Sequence, residues 1–429
     1  MPHWPKPIGF YKQINNHDTT LKALEYLGNP QNKLNNVIHI AGTNGKGSTL
    51  AYIKQILLSN NHSVNCYTSP HLLNFNEQIF LKNCHISDHD LKSFLEEVRS
   101  QISDKFTLTF FETITIATLY IFSKVQADFN LIETGLGGRI DATNVFKKKY
   151  ISILSPISYD HLEYLGDNLM QITCEKSDIL LNSEKVVIAK QKPIVNACLK
   201  IIFAQNNISS AAFFKEAYDF DMVDNIFHYI DIESEEIIQY SEPSLLGCHQ
   251  LINLATALTT TNFISKEFCL THNNTNQAIL NTKWPGRLER INIADKFLTN
   301  KNTEIYFDGA HNDQGARSLA LWIKKTKFDG KTILIYGRTK GKNHNSFLTK
   351  FRNHISDIYL VSIQSEPLPA SILEMQQKIT LDYFTLNYKN DIFDAIIESQ
   401  QNESKKNNQP IRLICCGSLF LYRDLKIFF

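Results

Sequence analysis

The strongest chemical signal lies in the segment Gly42-Thr43-Asn44-Gly45-Lys46-Gly47-Ser48. Glycines let backbone N–H groups turn toward phosphate oxygens, and a lysine offsets phosphate charge at the start of the following helix. The segment departs from the common pattern GxxxxGK[ST], because Ile40 stands at the first glycine position and Gly47 follows the lysine. It predicts nucleotide binding, with a plain glycine-rich turn as the alternative.

Two further polar groups follow apolar, strand-like runs. Glu133 follows the run Phe129 to Ile132, and a carboxylate at the end of a strand is suited to Mg²⁺, which favours oxygen ligands. The alternatives are a strand cap or an ion pair with Arg139. Asp160-His161 follows the run Tyr150 to Pro156, and this position makes His161 a candidate although a lone histidine is more often structural.

Three other polar segments carry little information by themselves. Glu175-Lys176-Ser177-Asp178 lies on an expected helix, where a Glu-Lys pair is usually a solvated surface feature. Asp308-Gly309-Ala310-His311-Asn312 and Gly417-Ser418 follow strand-like runs and are compatible with polar turns.

The elements that must position these groups alternate between strand-like and helical patterns. The strand-like runs of the first half are Asn36 to Ile40, Ser63 to Tyr67, Phe129 to Ile132, Tyr150 to Leu154 and Lys185 to Ile188. This alternation predicts a mostly parallel sheet covered by helices, with ligands beyond the carboxyl ends of its strands.

A second alternating series begins after Trp284-Pro285-Gly286. Its strand-like runs are Glu304 to Phe307, Thr332 to Tyr336, Ile358 to Val361 and Ile411 to Cys415. We therefore expect two domains, residues 1–283 and 284–429. The β-rich stretch Asn207 to Ser241 is expected to be an insertion at the edge of the first sheet, and the polar stretch Ser399 to Gln409 a loop.

The bulk properties exclude several classes of protein. The 429 residues carry 44 basic and 43 acidic side chains, and this balance argues against a general nucleic-acid binder. The apolar stretch Thr109 to Val125 is short for a membrane span and predicts a buried helix. The residues Met1 to Phe10 do not form a secretory signal, and the eight cysteines form no CxxC. We expect a cytoplasmic protein.

Taken together, the motifs and their order resemble the dihydrofolate synthase/folylpolyglutamate synthase family and, more broadly, the Mur ligases. The resemblance extends from about Asn29 to Leu421. The segments that carry it are LGNP, HIAGTNGKGST, YTSPHLLNFNEQI, FFETIT, ETGLGGRIDATN, DHLEYLG, EKSDI, GCHQLINLATAL, WPGRLERI, DGAHN and CGSLFL. The unusual phosphate loop is normal in this family.

The resemblance implies an α/β fold with a P-loop-type, mostly parallel sheet, helices on both faces and a smaller C-terminal Rossmann-like α/β domain. It implies an ATP-dependent ligase that adds L-glutamate to dihydropteroate, to reduced folates such as tetrahydrofolate, or to both, through an acyl phosphate. The implied cofactors are ATP, Mg²⁺ at two sites and a monovalent cation. A monomer with no nucleic-acid or membrane partner is expected.

The resemblance also implies roles for individual residues. The residues implied to contact ATP are Asn44, Gly45, Lys46, Gly47, Ser48, Asn253, Arg287 and Asp308. The implied Mg²⁺ ligands are Ser69, Glu133 and His161. Lys46, Lys176 and His311 are the implied catalytic residues, and Lys176 matches a lysine that is carbamylated in these enzymes. The implied pterin-side pocket comprises Phe111, Glu112, Thr115, Ile140, Asp141 and Ala142.

Two segments depart from the family pattern. EKSDI differs from the more usual EKAGI at Ser177 and Asp178, and the stretch Asn16 to Leu21 only weakly matches the DLGL-type motif that contacts pteroate. GLGGRIDATN is more similar to the bifunctional enzymes than to those that only extend folate tails.

Three alternatives remain at this stage. The first is a Mur ligase of cell-wall synthesis, which normally has an additional N-terminal domain that the residues before Asn36 are too few to form. The second is a P-loop switch or motor protein, which the DGAHN and EKSDI segments disfavour. The third is an inactive binding module, which would be expected to lack the site residues.

Overall fold

The structure is a computed structural model that describes residues 17–294, 297–298, 300–406 and 409–426. The residues Met1 to Phe10, which were predicted not to form a secretory signal, and Asn16 of the weakly matching motif lie outside these residues. The described chain divides into two compact units. The first comprises residues up to Ser244 together with Gln250–Lys283, and the second comprises Leu245–His249 and the residues from Trp284 onward.

An eight-stranded sheet forms the centre of the first unit. Its strands are β1 (Val37–Ala41), β2 (Val64–Tyr67), β3 (Ile79–Leu81), β4 (Cys84–His85), β5 (Phe129–Glu133), β6 (Lys149–Leu154), β7 (Ser183–Ile188) and β8 (Ala211–Phe213). Their order is β4-β3-β2-β5-β1-β6-β7-β8, and only the pairs β2–β3 and β3–β4 are antiparallel. β1 and β5 are buried along their whole length, as expected of strands covered on both faces.

Helices precede, separate and follow these strands along the chain. They are α1 (His17–Tyr26), α2 (Lys46–Ser59), α3 (Asp88–Ile102), α4 (Phe110–Lys124), α5 (Leu162–Leu165), α6 (Leu169–Ser177), α7 (Pro193–Gln205), α8 (Cys248–Phe268) and α9 (His272–Asn281). The apolar stretch that was predicted to form a buried helix is α4, which begins with a capping box between Thr109 and Glu112. In the described part of the chain, no helix combines the length and apolarity that crossing a bilayer requires.

The β-rich stretch that was predicted to be an insertion has two parts. β8 pairs in parallel with β7 and so extends the edge of the first sheet. The strands β9 (Tyr218–Val223), β10 (Ile226–Asp231) and β11 (Glu236–Ser241) instead form a separate antiparallel sheet.

The second unit contains a six-stranded sheet. Its strands are β12 (Glu289–Ile291), β13 (Thr303–Asp308), β14 (Lys331–Tyr336), β15 (Asp357–Val361), β16 (Thr385–Lys389) and β17 (Ile411–Cys416). The order is β12-β13-β17-β14-β15-β16, with β12 alone antiparallel to its neighbour. Its helices are α10 (Asp313–Lys325), α11 (His344–Leu348), α12 (Ile372–Lys378), α13 (Ile392–Lys406) and α14 (Leu421–Leu425). The predicted α/β class with mostly parallel sheets is confirmed.

The prediction that Ser399 to Gln409 forms a polar loop is wrong as far as residue 406, because α13 extends through this stretch. Ser399, Gln400 and Glu403 of this stretch are buried, and they have partners within the second unit. Gln400 donates a hydrogen bond to the carbonyl of Phe297, and Glu403 accepts an ion pair from Lys331 at 2.8 Å. The polar composition of this stretch predicted an exposed loop. In the structure, residues that are distant in sequence supply the hydrogen-bond and ion-pair partners of its polar side chains instead of water.

Candidate active site

The phosphate-loop segment connects β1 to the first turn of α2. Gly42 has a φ of 146°, and a Cβ there would lie 1.9 Å from the hydroxyl oxygen of Ser155, so only glycine fits. Gly45 precedes α2 with a φ of 91°, and a Cβ there would lie 2.3 Å from Oδ1 of Asn253. The chain thus passes very close to neighbouring groups before a 14-residue helix whose N-terminus is suited to an anion.

Two lysines converge on one carbonyl of this loop. Lys46 Nζ donates to the oxygen of Gly42 at 3.3 Å, and Lys176 Nζ donates to the same oxygen at 3.1 Å. Lys46 also lies 3.8 Å from a carboxylate oxygen of Glu133. Two cations therefore share a small volume at the end of β1 and β5, together with one carboxylate.

Lys176 has only 4% of its surface exposed. Burial, followed by repulsion from the ammonium of Lys46, lowers its pKa from 10.5 to about 7, although Asp160 and Asp141 oppose this shift. At pH 7 about half of the Lys176 amines are therefore neutral, and the neutral amine is the nucleophilic form.

The three residues that were predicted to bind Mg²⁺ lie at the ends of strands or in the loops that follow. Glu133 is 4% exposed, and one of its carboxylate oxygens accepts the backbone N–H of Ser69 at 3.2 Å. His161 has a left-handed backbone, with its Nε2 3.9 Å from Asp160. Across the described residues, no three His, Cys, Asp or Glu side chains gather as a ready metal cluster. A cation here would therefore need oxygen ligands beyond these side-chain types, such as a hydroxyl, water or phosphate.

The start of α8 contacts the phosphate loop through a residue that the sequence analysis did not select. Gln250 is fully buried, and its side-chain amide donates to the hydroxyl of Ser48 at 3.3 Å. Asn253 donates to Gln250 at 2.9 Å from the next turn of the helix. Gln250 and Asn253 are three positions apart in HQLIN, and this spacing places both amides on one face of the helix. The spacing could have identified Gln250 from the sequence, once Asn253 was selected.

Three residues of α4 were predicted to line the pterin-side pocket, and each of them makes a different kind of contact. Phe111 stacks on Tyr67 with ring centroids 6.3 Å apart. Thr115 is fully buried, and its hydroxyl lies 3.3 Å from that of Tyr67. Glu112 accepts the backbone N–H of Thr109 at 2.7 Å and thus caps the helix.

The rest of the predicted pocket lies in the loop after β5. Ile140 is half-buried, whereas Asp141 and Ala142 are 4% and 5% exposed. Asp141 accepts hydrogen bonds from the backbone N–H of Leu136 at 2.8 Å and from the hydroxyl of Thr143 at 2.5 Å. Burial raises the pKa of Asp141, and these donors oppose that shift.

The remaining predicted residues, Arg287, Asp308 and His311, lie in the second unit. Asp308 is 6% exposed and accepts the backbone N–H groups of Leu288 at 2.9 Å and Ala310 at 2.8 Å. A Cβ on Gly309 would lie 2.3 Å from a guanidinium nitrogen of Arg287, so this side chain crosses the DGAHN turn.

His311 is also held within this turn. Its Nδ1 lies 2.8 Å from the carbonyl of Gly309, and its own carbonyl accepts a hydrogen bond from the buried guanidinium of Arg338 at 2.7 Å. Arg338 was not selected from the sequence, since a single arginine after a strand carries no local signal.

Comparison with known families identifies both halves of the chain. The model of the Mur ligase middle domain matches residues 40–261. The model of the dihydrofolate synthetase C-terminal domain matches residues 289–427.

Curated relatives extend over nearly the whole chain. The dihydrofolate synthase/folylpolyglutamate synthase of Bacillus subtilis is 27% identical, with 93% of this chain and 91% of that protein covered. The dihydrofolate synthetase of Saccharomyces cerevisiae is 29% identical, with coverage of 94% and 95%. The folylpolyglutamate synthase of Lacticaseibacillus casei is 30% identical, with 82% of each chain covered.

Solved structures share the fold. Escherichia coli FolC in complex with DHPP and ADP superposes with a TM-score of 0.82 at 21% identity and covers 96% of this chain and 92% of that one. The bifunctional folylpolyglutamate synthase/dihydrofolate synthase of Yersinia pestis, with Mn, AMPPNP and L-glutamate bound, gives 0.79 at 22% identity, with coverage of 96% and 93%.

Proposed function

The chain belongs to the dihydrofolate synthase/folylpolyglutamate synthase family within the Mur ligases, and from this premise we propose that it joins L-glutamate to dihydropteroate, to reduced folates such as tetrahydrofolate, or to both. As a member of this family it is an ATP-dependent acid–amino-acid ligase of folate metabolism. In the proposed reaction the γ-phosphoryl group passes to the acceptor carboxylate, the amine of glutamate attacks the acyl phosphate, and ADP and phosphate are released.

The convergence of Lys46, Lys176 and Glu133 at the Gly42 end of the phosphate loop carries this proposal. Phosphoryl transfer relies mainly on positioning and on offsetting negative charge. Lys46 is a cation at the start of α2, where the β- and γ-phosphates of a nucleotide would lie. The narrow turns at Gly42 and Gly45 support binding of the phosphates by backbone N–H groups of residues 44–48.

The donor set beside this loop fits a hard divalent cation. Ser69 and Glu133 offer oxygen atoms, and their close contact supports their action as one set, to which His161 would add a nitrogen. A bound Mg²⁺ would offset charge on the nucleotide phosphates. We propose two Mg²⁺ sites and a monovalent cation from the family resemblance.

Lys176 is proposed to carry a carbamate. The neutral amine would form an N–C bond with CO₂ and release a proton, which converts a buried neutral amine into an anion with two oxygen atoms. The repulsion that Lys46 exerts on the ammonium would become attraction to the carbamate. This change explains how two lysines can share one carbonyl in the functional enzyme.

The acceptor is proposed to bind beside Phe111 and the loop that contains Ile140, Asp141 and Ala142. Phe111 stacked on Tyr67 offers an aromatic surface for a pterin ring. Thr115 and Glu112 are engaged in internal hydrogen bonds, so a direct contact with the acceptor would compete with those bonds.

The remaining groups are proposed from the family resemblance. Asn253, Arg287 and Asp308 are proposed to contact the nucleotide, and His311 to act near the acyl phosphate and the incoming glutamate. Residues 1–283 are proposed as the ATP-binding domain and 284–429 as the glutamate-ligase domain. We further propose a cytoplasmic monomer.

Phosphate release from purified protein tests the function. The reactions contain ATP, Mg²⁺ and L-glutamate with dihydropteroate, with tetrahydrofolate or with no acceptor. Release with dihydropteroate is expected, and release with tetrahydrofolate as well would make the enzyme bifunctional. Folded protein that binds ATP but releases phosphate with neither acceptor would refute the proposal.

A further inference from the structure

The acceptor-side loop Asp141–Asn144 is fastened to β1 by a chain of side-chain hydrogen bonds. His39 of β1 is fully buried, and its Nε2 lies 2.8 Å from the hydroxyl oxygen of Thr143. The hydroxyl of Thr143 donates to Asp141 at 2.5 Å, and the backbone N–H of Thr143 donates to the same oxygen at 3.0 Å. β1 is the strand that leads directly into the phosphate loop.

The direction of these bonds fixes the state of the histidine. Because the hydroxyl hydrogen of Thr143 goes to Asp141, its oxygen must accept a hydrogen from Nε2 of His39. Nδ1 of His39 is buried without a hydrogen-bond partner, and burial lowers the pKa of the ring well below its usual value. His39 is therefore a neutral imidazole that donates from Nε2 to Thr143.

A second anchor reaches the loop from the end of α6. Asp178 accepts a hydrogen bond from the side-chain amide of Asn144 at 3.0 Å. The backbone N–H of Asn144 donates to the carbonyl of Asp141 at 2.9 Å, so the loop is closed on itself. The carbonyl of Asn144 lies 3.1 Å from Nε2 of His17 in α1.

A buried lysine links the electrostatics of the two anchors. Lys149 of β6 is 2% exposed, and burial lowers its pKa to about 8 while Asp178 opposes that shift. The same lysine contributes to the low pKa of His39. Asp178 therefore interacts electrostatically with Lys149 as well as accepting the hydrogen bond from Asn144.

We propose that His39 and Asp178 are positioning residues that hold the acceptor loop in register with the phosphate loop and with Lys176. Each anchor lies on or next to an element of the proposed nucleotide site. His39 lies on β1, which leads into Gly42, and Asp178 follows α6, which contains Lys176. The inference rests on the proposed function, because it assumes that Asp141 and its neighbours contact the acceptor. An acceptor carboxylate displaced from the γ-phosphate would react slowly, and its acyl phosphate would be exposed to water.

Paired variants of each anchor test the proposal. His39→Leu and Asp178→Ala remove the hydrogen bond, whereas His39→Gln keeps a donor at the position of Nε2 and Asp178→Asn keeps an acceptor oxygen. For the first two we expect the KM for the acceptor to rise about tenfold to 100-fold, with phosphate released in excess of glutamate ligated. The KM for ATP should not change, and the conservative variants should restore most of the coupling.

If His39→Leu fails to fold, Thr143→Val repeats the test with a smaller change in side-chain volume. Thr143→Ser, which keeps the hydroxyl, is its control. Unchanged acceptor KM and unchanged coupling in folded His39→Leu, Thr143→Val and Asp178→Ala would overturn the proposal. The proposal would also be overturned if the acceptor KM and the coupling of phosphate release to ligation changed equally in the disruptive and the conservative variants.

Hydrogen exchange at the backbone amides of Leu136 and Asn144 separates this proposal from the proposed function. Faster exchange in the disruptive variants, in a protein whose wild type ligates glutamate to neither acceptor, would retain the anchors and reject the proposed function. Unchanged exchange in variants of an active enzyme would reject the anchors alone.

Discussion

The proposed carbamylation of Lys176 depends on the protonation state of its amine and can be measured without catalysis. Burial and the neighbouring Lys46 lower the pKa of Lys176 from 10.5 to about 7. At pH 7 about half of the Lys176 amines are then neutral, compared with about one in 3,000 for a lysine of ordinary pKa. Because CO₂ reacts with the neutral amine, we expect Lys176 to be modified at CO₂ concentrations that leave exposed lysines unmodified.

The assay is uptake of ¹³C-labelled CO₂ by the purified protein, followed by ¹³C NMR and by mass spectrometry after chemical trapping of the carbamate. We expect about one carbamate per chain, lost in Lys176→Arg. At fixed dissolved CO₂ the signal should rise as the pH passes through about 7.

Lys149 provides a matched control inside the same unit. It is also buried, with a pKa lowered to about 8, but it interacts with Asp178 and His39 rather than with the carbonyl of Gly42. Lys149→Arg should therefore keep the carbamate. The reasoning fails if folded wild-type protein takes up no label, if the signal survives Lys176→Arg, or if its midpoint lies near 10.

Four further predictions follow from single contacts. Lys46→Ala should lower the rate of phosphoryl transfer by orders of magnitude in single-turnover assays, and near-normal turnover would remove its proposed role. Because the folded pKa of Lys176 lies below 10.5, the unfolded chain binds more protons between about pH 7 and 10.5, and stability from this residue rises with pH there. Lys176→Met should therefore raise Tm more at pH 6 than at pH 10, and an equal change at both would contradict the buried ammonium. Glu112→Ala should lower the free energy of unfolding by about 1 kcal/mol through loss of the cap, whereas Glu112→Gln should not. If urea denaturation is unaffected by either substitution while the acceptor KM rises, Glu112 contacts substrate instead. Gly45→Ala should raise the KM for ATP at least tenfold, because its methyl group would displace Asn253, and an unchanged KM would exclude this close contact as a determinant of binding.

Local patterns predicted the elements that carry the site. The apolar run before Gly42 is β1, and the stretch after the loop is α2. These predictions succeed because a buried parallel strand needs continuous apolar residues and a phosphate loop needs glycine at specific backbone angles. Both requirements are met within a few neighbouring residues.

Where polarity had to be interpreted without its partners, the sequence was a poor guide. The stretch from Ser399 was expected to be a loop, yet it continues α13 because Gln400 and Glu403 find partners in distant segments. The place of Glu112 in the pterin-side pocket stays a prediction, and the structure shows its carboxylate in a capping bond within its own helix. A side chain's type does not reveal whether water, backbone or ligand satisfies it.

By itself, the sequence determined the family, the order of the motifs and the identity of the groups that can react, because eleven short segments occur in one order along the chain. The tertiary structure alone decided the chemical state of those groups. Lys176 and Gly42 are 134 residues apart, and only their contact in the fold buries the amine and brings it near Lys46. The proposed roles of His39 and Asp178 also depend on tertiary contacts, since desolvation and hydrogen bonding are set by which distant segments the fold packs together.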